Sequence, residues 1–155
     1  MRLLLLLALA CAWEAPVPAA DPEGERLPPG AGKEVVAKVC SECHGADNFR
    51  KKRLTRDEWS ETVDKMVEEG AKATDDEITA IVDYLAQNFS TDSKVWVNTA
   101  PLAELKNVLG FTNEEGNAIL AWRAEKGDFH SAADLQKVPG VDPQKVEGKK
   151  EMMAF

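Results

Sequence analysis

Cys40-Ser41-Glu42-Cys43-His44 is the stretch of this chain with the greatest chemical capacity. Two thiols three positions apart can add across the vinyl groups of a porphyrin as thioethers. The imidazole that follows at once can then reach the iron from one side. Cys-x-x-Cys-His is the attachment pattern of a c-type haem. Two other chemistries compete for these residues. A redox-active dithiol needs a preceding strand and a βαβ setting, and no stretch here alternates convincingly as a strand. A zinc site needs four ligands, usually as two spaced pairs. After the first 20 residues, the chain offers only His130 besides these three, and adjacent Cys43 and His44 are awkward chelators of one small ion. Haem attachment is the stronger reading.

An iron held by His44 has a sixth position, usually filled in cytochromes by Met or His; a Met thioether raises the potential by stabilising ferrous iron. The candidates are Met66, Met152, Met153 and His130. Met66 falls on the apolar face of an expected helix, four residues before Gly70, where the chain can turn tightly. Met152 and Met153 stand at the far C-terminal end.

Helices must position these groups. The first is expected from about Gly32 to Cys43, with Val35, Val36 and Val39 on its apolar face, the cysteines at its end, and Gly45 closing it. Asn48 to Arg53 reads as a basic loop, with Arg50-Lys51-Lys52-Arg53 solvated or docking an acidic partner. Thr55-Arg56-Asp57-Glu58 and Thr74-Asp75-Asp76-Glu77 are capping boxes, each opening a helix. Trp59, Val63, Met66, Val67 and Gly70 share one face of the first. Ile78, Ile81, Val82, Leu85 and Phe89 line the second. Trp59 is expected to pack beside the haem edge.

Cys40-x-x-Cys43-His44-Gly45, Trp59-x-x-x-Val63-x-x-Met66-x-x-x-Gly70-Ala71, and Asp76-Glu77-x-x-x-Ile81-Val82-x-Tyr84-Leu85 together resemble a small class I c-type cytochrome, similar to the short cytochrome c5-like and c551-like carriers. The resemblance covers about residues 31 to 90. It implies one covalent haem c with His44 proximal and Met66 distal, and Tyr84 and Leu85 in the contact between the closing helix and the haem-bearing helix. One departure stands out: no Pro follows Met66, so the sulfur would come from a helix end rather than a loop.

The rest of the chain has a different grammar. Thr99 is placed to cap a helix with Pro101 in its first turn, and Leu102, Leu105 and Leu109 follow. Leu109-Gly110-Phe111-Thr112 makes a tight turn into a helix carrying Ala118, Ile119, Ala121 and Trp122, which Gly127-Asp128-Phe129 ends. Ser131-Ala132-Ala133-Asp134 opens a short helix. Val138-Pro139-Gly140-Val141 makes a second turn, and Asp142-Pro143 caps the last helix. With Asn98-Thr99-Ala100, Glu104-Leu105, Arg123 and Asp134-Leu135, this pattern resembles a tandem helix-hairpin-helix module of the competence-protein ComEA type. The resemblance implies sequence-independent DNA binding, through turn N–H groups that hold phosphate. Two departures weigh against that. The second glycine of each Gly-x-Gly turn is replaced, by Thr112 and by Asp142. From residue 95 onward, seven basic side chains also face nine carboxylates. A docking or structural module is the better expectation.

The 155 residues suit one domain or two small ones, and a net charge of -8 with a pI near 4.8 is a poor basis for neutralising phosphates. Met1-Arg2 and the apolar run Leu3 to Ala10 read as a signal peptide over residues 1–20, too short to span a bilayer. Cys11 offers a second reading as a lipoprotein acceptor, the only route here to a membrane. Residues 21–30 read as a Pro/Gly-rich linker, 31–90 as the cytochrome domain, 91–97 as a connector and 98–155 as the helix-hairpin-helix domain.

The expectation is an all-α, exported protein, periplasmic or secreted: a monohaem carrier of single electrons between redox partners, and not an enzyme. The alternatives are a DNA-binding or uptake-associated protein carrying a haem domain, and a haem sensor or peroxidase with labile Met ligation.

Overall fold

A computed structural model describes residues 27–155. The expected signal peptide, the Cys11 acceptor and the first part of the linker lie outside these residues. The regular structure of the described chain is almost wholly helical: α1 (Lys33–Cys40), α2 (Asp47–Arg50), α3 (Arg56–Glu68), α4 (Asp75–Asn88), α5 (Leu102–Asn107), α6 (Asn113–Lys126), α7 (Ala132–Leu135) and α8 (Pro143–Lys149). Among the described residues no helix is long and apolar enough to cross a membrane.

Among the described residues, hydrophobic side chains gather in two cores. The first runs from Leu27 to Phe89 and is built by α1, α3 and α4. Both capping boxes form as expected: Thr55 and Thr74 each accept from the backbone N–H three residues on, and Glu58 and Glu77 return the bond. With those starts fixed, Trp59 and Val63 of α3 pack against Ile81, Val82 and Leu85 of α4. Helix α1 crosses α4 at close range. A Cβ on Gly32 would lie 2.7 Å from the Ala80 carbonyl oxygen and 3.0 Å from Tyr84 Cβ, and Gly32 has φ +89°, so the crossing needs glycine. Tyr84 and Leu85 are both buried in this core, and the Tyr84 hydroxyl donates to the Pro28 carbonyl at 2.6 Å.

The second core runs from Val95 to Met153. Arg123 of α6 is buried and donates to the Val97 and Ala100 carbonyls, and Asn98 and Phe129 exchange a reciprocal pair of hydrogen bonds at 2.8 Å. These bonds satisfy backbone groups that would otherwise be buried without partners.

Several expectations are corrected. Helix α1 stops at Cys40, not Cys43, and Cys43 and His44 occupy the turn beyond it. The basic segment is not a loop throughout: α2 forms within it, and Arg50 is fully buried. Thr99 caps nothing; the N-cap position of α5 is Pro101, without a side-chain cap, and the Thr99 hydroxyl instead accepts from Arg50 and donates to the Trp96 carbonyl. Strand structure is also present. β1 (Val95–Trp96) and β2 (Met153–Ala154) form a parallel ladder that ties the two ends of the second module together. At two residues each, these strands are too short to show any alternation.

Candidate functional site

Helices α1, α3 and α4 and the α2 segment enclose an apolar cleft of about 530 Å³, within the size range of cofactor sites. Cys40, Cys43, His44 and Met66 all line it, with the buried side chains of Val39, Phe49, Trp59, Val63, Ile81 and Leu85. The cleft exists because the apolar face of α3 is only partly covered by protein. Trp59 and Val63 are buried by α4, while Met66 and Val67, one turn further along, stay half-exposed at the opening. The Trp59 indole N–H donates to the Phe89 carbonyl at 3.1 Å, so its polar edge is satisfied while the ring lines the cleft.

The end of α3 fixes Met66. Gly70 has φ +111°, its N–H donates to the Val67 carbonyl at 3.0 Å, and the Ala71 N–H donates to the Met66 carbonyl at 2.9 Å. This is a Schellman closure, with Met66 in the last turn of the helix. The sulfur is therefore carried on a helix end, as the missing Pro suggested.

His44 Nδ1 lies 3.3 Å from the Gly45 carbonyl oxygen. A hydrogen bond there requires the Nδ1–H tautomer, which would leave the Nε2 lone pair for a metal. Burial pushes the Cys40 thiol up to about 11, the reverse of the depressed thiol a catalytic dithiol requires. Of the other candidates for the sixth position, His130 is exposed in the second module, Met153 is buried in its core and Met152 is on its surface. None lines the cleft. An apolar slot with two thiols, one imidazole and one thioether on its walls fits a covalently held porphyrin.

The basic run divides in two. Lys51 and Lys52 are exposed at the cleft, whereas Arg50 is buried against the second module. Arg50 Nε donates to Glu104 Oε2 at 2.9 Å, and Nη1 to the Thr99 carbonyl at 2.6 Å. Arg53 Nη2 donates to Glu104 Oε1 at 2.7 Å. Burial lowers the Arg50 pKa and Glu104 opposes that shift. Sequence reasoning missed Glu104 as the partner, since it lies 54 residues away.

The two hairpin turns of the second module are also occupied from within. Thr112 caps α6 in a third capping box with Glu115. The buried Glu115 carboxylate accepts from the Thr112 N–H at 2.7 Å, from the Asp142 N–H at 3.2 Å and from Lys145 Nζ. Burial pushes the Glu115 carboxyl up, but the Lys145 ammonium and the two N–H groups outweigh it and hold the carboxyl below its ordinary value. One internal anion thus takes an N–H from each of the two turns that lost a glycine.

Comparison with known proteins divides the chain at the same place as its two cores. Residues 28–85 match the family described as cytochrome c oxidase, cbb3-type, subunit III, and residues 90–151 match the helix-hairpin-helix motif. ComE operon protein 1 of Bacillus subtilis (strain 168) is 37% identical over 51 residues, which cover 33% of this chain and 25% of that protein. The chain thus matches about a quarter of the length of that relative. No solved structure gives a significant match. The chain joins a cytochrome c domain to a ComEA-like helix-hairpin-helix domain.

Proposed function

We propose that this protein is an exported monohaem c-type cytochrome that carries single electrons between redox protein partners, with the helix-hairpin-helix domain as its docking or structural module. The observation that carries this reading is the convergence of Cys40, Cys43, His44 and Met66 on one apolar cleft. Haem bound there supplies a one-electron ferrous–ferric couple. Cys40 and Cys43 would hold it by thioethers, and His44 Nε2 and the Met66 sulfur would be its iron ligands. The apolar walls limit water, and the Gly45 carbonyl orients the imidazole. A thioether ligand favours the ferrous state and so a raised potential. If His44 and Met66 both bound the iron, no site would be left on it for oxygen or peroxide, which would favour a carrier over a peroxidase or sensor. Export is supported by the composition of residues 1–20 and by the site of c-haem attachment outside the bacterial cytoplasm. Membrane attachment would follow only from lipidation at Cys11.

The test is to produce the full chain with c-haem maturation machinery and measure its intact mass. The reading expects the mass of one haem that resists acidic organic extraction, absent from a Cys40→Ser/Cys43→Ser variant, and a reversible one-electron titration. A protein that leaves maturation without haem contradicts it.

The helix-hairpin-helix match and the Bacillus subtilis relative favour a second reading, DNA binding through residues 98–155. The carboxylate of Glu115 across both turns and the acidic excess of the module weigh against it. The carrier reading expects no retardation of duplex DNA by the full chain at low salt. Salt-sensitive retardation would replace it with the second reading.

A further inference from the structure

Helix α2 stands between the cleft and the second module and serves both. On one side Asn48, Phe49, Lys51 and Lys52 line the cleft. On the other, the Arg50 side chain is 0% exposed and the Glu104 side chain 1%, with Arg50 Nη2 and Glu104 Oε2 2.9 Å apart. Arg50 also reaches the Thr99 hydroxyl at 3.1 Å, and Arg53 Nη1 donates back to the Arg50 carbonyl at 3.0 Å. The guanidiniums of Arg50 and Arg53 lie 5.7 and 5.6 Å from the centroid of the Phe89 ring. That ring meets Phe49 edge-on, with centroids 5.6 Å apart. The Phe89 carbonyl accepts from both the Leu54 N–H and the Trp59 indole. An unbroken set of packed and hydrogen-bonded groups therefore runs from Glu104 to Phe49 and Trp59 on the cleft wall.

We infer that Glu104 is a positioning residue for the haem: through Arg50 and Arg53 the helix-hairpin-helix domain holds α2 in place and so sets the aromatic wall of the cleft. A four-residue helix has almost no stability of its own. Its geometry must come from what it is tied to, and its strongest tie is a charge pair that water does not reach. Two guanidiniums share one carboxylate, so loss of Glu104 removes from both the counter-charge they face in common. A partner that moves α5 would thereby alter the haem surroundings without touching them.

This inference rests on the haem reading of the cleft, and the experiment separates the two. Full-length haem-loaded protein is compared with Glu104→Gln, Thr99→Val and, as a control, Glu147→Gln, whose carboxylate is on the surface. Two signals are read: backbone amide exchange at Arg50, Lys52 and Leu54, and the circular dichroism of the main haem absorption band, which senses nearby aromatic rings. Glu104→Gln is expected to speed exchange at these amides by about tenfold or more and to change the haem dichroism. Thr99→Val, which keeps the ion pair, gives a smaller change of the same kind, and Glu147→Gln gives neither. Should Glu104→Gln fail to fold, the Thr99→Val comparison decides. Faster exchange with an unchanged haem signal, or no change in either, overturns the inference. A wild type that takes up no haem overturns the reading of the cleft instead.

Discussion

Trp59 and Gly32 show how single residues hold the cleft open. Trp59 is buried, its ring faces the cleft, and its indole N–H closes on the Phe89 carbonyl. Trp59→Phe keeps most of the ring but removes that donor. It should cost about 1–3 kcal/mol, read from the denaturant midpoint at unchanged slope. Gly32 is more stringent. Its positive φ and the Ala80 carbonyl 2.7 Å from any added Cβ leave no room for a side chain, so Gly32→Ala should cost at least about 1 kcal/mol. A Gly32→Ala protein as stable as the wild type would show that α1 does not cross α4 at this distance. Tyr84 belongs to the same contact. Burial pushes its phenol well above the ordinary value, so it remains a neutral donor to Pro28.

At the scale of elements, the N-terminal caps carry the clearest consequence. The carboxyls of Glu58 and Glu77 are held below their ordinary values chiefly by the backbone N–H groups of Thr55 and Thr74, and Glu115 is lowered by Lys145 and its turn N–H groups against the opposing effect of burial. A depressed folded pKa stabilises fully above the unfolded value, about 4.3 for Glu, and that stabilisation fades as pH falls through the folded value. The thermal midpoint should therefore drop when pH is lowered from roughly 5 to 3, and Glu115→Gln should flatten part of the drop. Equal midpoints at the two pH values would contradict this. These helix starts were also the most legible feature of the sequence, because a cap and its partner lie three residues apart. The box at Thr112 and Glu115 obeys the same rule, but the resemblance drew attention to the lost glycine instead of the gained cap. The assignment of Thr99 failed for the opposite reason. Its hydroxyl answers to Arg50, 49 residues away, and no local pattern encodes that.

For the whole molecule, the cleft was visible in the sequence as one amphipathic face and one motif, while the union of the two modules was not. Arg50 and Arg53 read as surface charge because their neighbours are lysines. Only the fold brings Glu104 to them. A buried pair of this kind leaves a costly charge if the modules separate, so they should unfold together. Helical circular dichroism and intrinsic tryptophan emission are then expected to report coincident denaturant midpoints for the wild type. Two resolved transitions would mean that the interface contributes little. Coincident midpoints would make the second module part of the structural support of the first rather than a freely tethered passenger.

We propose that Cys40, Cys43, His44 and Met66 hold one haem whose iron has a sulfur ligand. The most direct measurement is the visible and near-infrared spectrum of the full-length protein matured with covalent haem, beside Met66→Ala. The ferric wild type should show the weak thioether-to-iron charge-transfer band. Met66→Ala should lose it, show a lower reduction potential and, when reduced, bind carbon monoxide rapidly. A Met66→Ala spectrum with the band intact would contradict the assignment of Met66.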